Sequence, residues 1–204
     1  MNLRNKIPYF LKHALGDGEL PVAYKRLVGI SYDTDTYYET NQKLYGSDTL
    51  TLTVSETKSS GRNLIGAYSG AGDSYRNFSL YVYGGNSTSS SYLRHGTTLV
   101  RPRLGSGKRT ISVTPTRTDG FLTDVTYDEE TFETTSTFWI GALPNSSSPK
   151  FDGNIEGNIL VSNRLKYIPC ERVSDGAIGY YEVFTKTFLE NQGTGTPVSM
   201  GYAI

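Results

Sequence analysis

Residues 48–56 read DTLTLTVSE, and their pattern decides the fold. Leu50, Leu52 and Val54 fall on one side of an extended chain, and the intervening threonines fall on the other. A strict period of two is the signature of a strand with one dry face and one wet face. The same period recurs outward from this segment. FSLYVY (78–83) sets Phe78, Leu80 and Val82 against Tyr81 and Tyr83, and KRTISVTP (108–115) repeats it with Ile111 and Val113. Further strand candidates cover residues 24–32, 64–68, 92–95, 98–101, 109–116, 121–127, 137–141 and 153–161. A closing hairpin follows over 177–183 and 187–190, with a last short strand over 197–202. The connections are Gly, Asn, Ser and Asp clusters such as SGAGDS (69–74) and GGNSTSSS (84–91), which is turn chemistry. Many short strands with no helical pattern between them exclude a parallel α/β fold and predict an all-β, two-sheet antiparallel sandwich.

Composition narrows the function. A chain of 204 residues suits one sandwich-sized domain and can bury a sizeable core. Its 20 basic and 20 acidic residues cancel, which argues against nucleic-acid binding by phosphate neutralisation and against a polybasic membrane segment. Cys170 is the single cysteine, so no intramolecular disulfide can form, and a buried thiol is expected. No apolar run reaches the 18 residues of a membrane span, so no membrane insertion is expected. In the first residues, MNLRNKIPYFLKHALGDG, the apolar stretch is broken by Pro8 and stopped by Lys12 and His13. That is too short for the core of a signal peptide. Residues 5–15 instead predict a short helix with Ile7, Phe10, Leu11 and Ala14 on one side, ended by Gly16 and Gly18. Such a helix is marginal alone and packs either on its own domain or on a partner. The expected division is an N-terminal segment over 1–20 and one domain over 21–204. Sixteen tyrosines and 22 glycines, with abundant Ser, Thr and Asn, make the mixture that binding surfaces favour.

Chemical motifs are sparse. LGSGKRT (104–110) has Pro102 where a phosphate loop needs its first glycine and Arg109 where it needs a hydroxyl, and it feeds a strand, so it reads as a hairpin turn. In DEETFE (128–133), Glu130 and Glu133 are an odd number apart and face opposite sides of an extended chain. Asp128 and Glu130 share a face without a supporting aromatic or second carboxylate, and the segment reads as a solvated loop rather than a glycosidase pair. Asp33-x-Asp35 offers two oxygens to calcium but lacks the Gly and distal Glu of a calcium loop, so no cofactor is assigned and calcium stays possible without a motif. His13 and His95 have no metal-ligand or triad company. The sequons at Asn77, Asn86 and Asn145 read as chance in an Asn- and Ser-rich chain.

The end of the chain carries a resemblance. Pro169-Cys170, the turn Ser174-Asp175-Gly176, the strand Gly179-Tyr180-Tyr181-Glu182, Thr187-Phe188 and the close Asn191-Gln192-Gly193-Thr194-Gly195 follow one another in fixed order. This resembles the laminin-G-like, or concanavalin-A-like, jelly-roll domains abundant in phages and prophages of gut bacteria. DTDTYYETNQKL (33–44) is similar to the family's opening strand pair, SYLRHG (91–96) to its mid-domain strand, and TFWIGALPNSSSPKFDGNIEGNILV (137–161) to its IG…F-x-G-x-I segment. The resemblance covers residues 24–202. Glu182 departs from the family's Asp, and Lys186 departs from its turn Gly or Asn. It implies a jelly roll with a binding or structural role and no catalytic groups. The expectation is a non-enzymatic virion protein, a head decoration, fibre or tail component made in the host cytoplasm without a signal peptide. Its partners would be other virion proteins or identical subunits, attached through Ile7, Phe10 and Leu11. Tyr81, Tyr83, Tyr92 and Arg94 are candidate contacts to host-surface glycan, or equally a subunit interface or half-buried sheet face. The alternatives are a prophage-derived bacterial surface carbohydrate-binding module and a glycan hydrolase of the same fold.

Overall fold

The computed structural model describes residues 19–57, 62–67, 77–82, 91–144 and 150–204. Sixteen strands and no helix occur among them. They form two antiparallel sheets packed face to face, a jelly-roll-like sandwich. The larger sheet runs β10 (Thr118–Asp119), β9 (Arg109–Val113), β4 (Leu50–Thr57), β12 (Gly153–Val161), β13 (Leu165–Arg172), β14 (Ile178–Glu182) and β15 (Thr187–Glu190). Strands β1 (Tyr24–Arg26), β2 (Gly29–Tyr32) and β16 (Val198–Ser199) attach to it off this path. The smaller sheet runs β3 (Tyr38–Glu39), β11 (Trp139–Ile140), β5 (Arg62–Ala67), β6 (Asn77–Val82), β7 (Tyr92–Gly96) and β8 (Thr98–Val100).

The alternating segments bury the sides their sequences predict. Leu50, Leu52, Val54, Ile111 and Val113 from the larger sheet meet Phe78, Leu80, Val82, Leu93 and Ile140 from the smaller one in a single core. Tyrosines tie the two layers with polar contacts inside that core. The Tyr38 hydroxyl, on the smaller sheet, donates to the Ile178 carbonyl of the larger at 3.3 Å. The Tyr32 hydroxyl donates to that of Tyr180 at 2.9 Å, and Tyr38 meets both rings edge-on. A half-buried ion pair holds a loop, where the partly exposed Arg164 guanidinium grips both oxygens of Asp48, which is 3 % exposed. Asp48 also accepts the Tyr45 amide, and Arg164 donates to the Lys43 carbonyl, so the pair is hydrogen-bonded well beyond its own contact.

Four local expectations change. Residues 24–32 are two strands rather than one, because β1 pairs with β13 whereas β2 pairs with β12 and β16. Residues 121–127 are a loop with isolated bridges at Thr123 and Thr126; the Asp124 carboxylate takes the Phe121 amide at 3.0 Å, a local bond that competes with a ladder. LGSGKRT is no hairpin, since β8 lies in the smaller sheet and β9 in the larger, and the loop carries the chain between layers. Strand β13 is absent from the sequence-derived candidates. Tyr167 sits in the main core while Ile168 and Cys170 sit under Leu20 and Tyr181 on the opposite face, so both sides are dry and no alternation shows. Leu20 is 5 % exposed in that satellite cluster, and Glu19 pairs with Arg26 and Lys166, so both residues belong to the folded unit. The predicted helix of residues 5–15 lies outside the described residues.

The signature at the chain end resolves into turns and a clamp. Gly176 sits at φ 74°, and its amide donates to the Arg172 carbonyl at 2.8 Å. Asp175 accepts the Ala177 amide and both arms of the Arg172 guanidinium. In the next hairpin Glu182, 1 % exposed, takes the amides of Lys166, Phe184 and Thr185. Lys186 there adopts φ 57°, the left-handed region that L side chains disfavour. Lys186→Gly should therefore stabilise the fold by roughly 0.5–1 kcal/mol, the relief of that strain less the added freedom of the unfolded chain. Gly176→Val should cost at least ~1 kcal/mol for the converse reason. Thermal unfolding of the two variants should move the melting temperature in opposite directions.

Candidate functional site

Alternation that buries Phe78, Leu80 and Leu93 must turn their neighbours outward. On the outer side of the smaller sheet, Tyr81 lies directly opposite Tyr92, and Ser79 lies opposite Arg94. The tyrosine rings are 5.9 Å apart at 60°, the cross-strand aromatic pairing that antiparallel sheets favour. Arg101, just past β8, lays its guanidinium over the Tyr92 ring at 4.8 Å. Tyr81, Tyr92 and Arg94, three candidates chosen from sequence, thus come together on one half-exposed face. Tyr83, the fourth, lies outside the described residues, as do Ile7, Phe10 and Leu11.

Two aromatic groups on this sheet carry no mark in the sequence reading. Ile140 points into the core, so Trp139 points out, opposite Gly66 and Glu39. Its ring stacks on Tyr37 at 4.8 Å and 16°, and the Lys150 ammonium sits 4.8 Å from the Tyr37 ring. The cross-strand row therefore reads Glu39, Trp139, Gly66, Ser79, Arg94 and Leu99. β11 has only two residues, too few to display a period; the flanking pair Phe138 and Ile140, both buried, is the signal that marks Trp139 as outward.

The acidic groups are engaged in holding loops. Asp33 accepts the Thr36 hydroxyl at 2.7 Å, the Asp35 amide at 3.1 Å and the Thr196 amide at 2.9 Å. Burial works to raise its pKa, but these bonds outweigh it and hold the carboxyl below the usual range. Asp35 faces Lys150 at 3.6 Å. Both belong to a clamp with the chain end. The Asn191 side chain binds the Tyr37 amide and the Gly195 carbonyl, and a Cβ on Gly193 would fall 1.6 Å from the Asp35 carbonyl. Among the described residues no three His, Cys, Asp or Glu side chains are grouped to hold a metal ion. Cys170 is wholly buried, and burial pushes its thiol up to about 12, so it packs as an apolar group.

The 128–133 segment is the expected solvated loop, with Asp128, Glu129, Thr131 and Glu133 exposed, and Glu130 and Phe132 tie it down as a strap. Glu130 accepts the amides and hydroxyls of both Thr97 and Thr98 at 2.7–2.9 Å. Burial raises its pKa, yet the threonine donors prevail and lower it. Beneath the strap His95 is fully buried against Phe78, Tyr127 and Phe132. Its Nε2 lies 3.1 Å from the Gly46 carbonyl and must carry the proton, because a carbonyl only accepts. Nδ1 has no partner among the described residues. Burial lowers the His95 pKa, against weaker upward pulls from Gly46, Glu130 and Glu129.

No family model matches the chain, and no curated protein is similar to it. Among the described residues no helix is long and apolar enough to cross a membrane.

The buried imidazole sets a pH dependence. Its folded pKa lies below the unfolded value of about 6.5, so the unfolded chain takes up the proton first as pH falls, and stability declines below that pH. Asp33 and Glu130 have depressed folded pKa values; their contribution persists above about pH 4 and is lost as pH falls through those values. The melting temperature should thus fall from pH 7 to 5 and again below 4, and His95→Phe should flatten the first step alone.

Proposed function

We propose that this chain is a non-enzymatic structural protein of a bacteriophage particle, a jelly-roll domain that displays a glycan-binding sheet face. The observation that carries the reading is the cross-strand pair Tyr81–Tyr92, with Arg101 over it and Arg94 beside it, on a half-exposed sheet face. The chain-end part of the sequence resemblance, from Pro169 to Gly195, closes turns and clamps loops in the larger sheet. On the smaller one Tyr81, Tyr92, Arg94 and Arg101 share one outward side. Such a layout supports display rather than turnover. Glycoside cleavage needs a pair of carboxyl groups free to act on opposite sides of a sugar, and Asp33, Asp48, Glu130 and Glu182 are each bonded to several protein donors.

Attachment to the particle is assigned to residues 1–18 of the expected 1–20 segment, since Glu19 and Leu20 contact the sandwich. Their apolar residues Ile7, Phe10 and Leu11 would meet another virion protein or a sister subunit. Mass spectrometry of purified particles should find the chain as a stoichiometric component. Deleting residues 1–18 should leave a cooperatively melting sandwich that no longer co-purifies with particles. Recovery of the full chain on the bacterial surface and its absence from particles would instead identify a bacterial carbohydrate-binding module.

A further inference from the structure

Two arginines of the outer face have no carboxylate beside them among the described residues. Four arginines elsewhere hold carboxylates: Arg26 with Glu19, Arg117 with Asp119, Arg164 with Asp48, and Arg172 with Asp175 and Glu190. Arg94 and Arg101, like Arg103 and Arg109, have no ion-pair partner among the described residues, and what sets Arg94 and Arg101 apart is their common aromatic neighbour. They flank Tyr92. Arg94 stands two residues along the same strand on the same face, roughly 6.5–7 Å away by strand geometry, and Arg101 lies over the ring itself. Two like charges held on one patch, in a chain whose total charge is zero, form a local positive field that attracts an anion.

We propose that Tyr81, Tyr92, Arg94 and Arg101 bind an anionic glycan, one whose sugar rings carry carboxylate or sulfate groups. This rests on reading the face as a glycan surface and adds the charge of the ligand. The C–H face of a pyranose stacks on the tyrosine pair, and the planar guanidinium fork matches the paired oxygens of a carboxylate or sulfate. A neutral sugar would use the rings and leave both guanidiniums without counter-charge. Nucleic acid fits less well, because its binding rests on many phosphate contacts and this patch supplies two cations.

The test uses the full chain in calorimetric titration with polygalacturonate, alginate and chondroitin sulfate oligosaccharides, against dextran and methyl-esterified pectin as neutral probes. Binding should favour at least one anionic probe and weaken with added salt. Arg94→Ala and Arg101→Ala should each weaken it about tenfold, with Arg94→Lys recovering part of the loss. Lys186→Gly, remote from the face, should bind as the parent does. Unchanged melting temperatures in the arginine variants would assign the loss to the site. Equal binding of neutral and anionic probes, abolished by Tyr92→Ala, would keep the glycan face and overturn the anionic ligand. Indifference to both arginine substitutions would overturn the anionic ligand, and absence of binding to every probe would overturn both, whereas the particle assignment stands or falls separately by mass spectrometry.

Discussion

Strand β12 has two edges and three claimants, and the larger sheet is organised around that conflict. One edge is taken by β4. The other is divided: residues 153–156 pair with β2, and residues 159–161 pair with β13. Backbone donors and acceptors inside a sandwich have to be paired, so the changeover must be local and complete. It occurs at an irregularity between Glu156 and Leu160, where the Gly157 amide, displaced from the ladder, donates to the Val28 carbonyl at 2.8 Å. On the facing segment the Leu27 amide bonds the Pro169 carbonyl, so the chain steps from β13 to β12 between Leu27 and Val28. The fork gives β2 a free outer edge, which β16 fills, and leaves β13 deep enough in the sheet to need cover on both faces.

Legibility from sequence follows burial. Where one face is wet the period of two survives, and β4, β6 and β9 read directly from Leu50, Phe78 and Ile111 onward. Strand β13 does not, because Leu20, Tyr24 and Tyr181 make its second face dry and erase the contrast that a period needs. Pro169 within it argues further against a central strand by local rules, yet its carbonyl serves the Leu27 amide and the strand pairs on both sides. The candidate face was three-quarters visible, because Tyr81, Tyr92 and Arg94 lie on strands with clean alternation. Arg101 was not, since its place over Tyr92 depends on the β7–β8 hairpin register rather than on its own neighbours.

The carboxylates show the same limit from another side. Glu130 binds Thr97 and Thr98 across more than thirty positions of sequence, and Asp33 binds Thr196 across the length of the domain. Nothing local distinguishes such a group from a catalytic or calcium-binding one. Only the donors decide, and here they are loop amides and hydroxyls that no ladder serves. A sandwich has many loops and few ways to satisfy their backbone, so an acidic side chain aimed at a bend contributes more as a clamp than it would at the surface.

That division shapes what the outer face can do. With the β7–β8 turn held by Glu130 and the strands paired in register, Tyr81, Tyr92 and Arg94 are placed on one face by the sheet itself, so the proposed contact would add little ordering cost on binding. The same flatness limits affinity, because two rings and two guanidiniums on an open sheet bury little of a sugar chain. A face of this kind gains strength from repetition rather than depth. On the proposed function, copies fixed on one particle would raise the effective concentration of each next contact on a repetitive polysaccharide, and the gain of about 10²–10⁴ would need no new residue. The two parts of the proposed function then depend on each other physically: the sheet face supplies a weak, preorganised contact, and the attachment of many copies makes that contact hold.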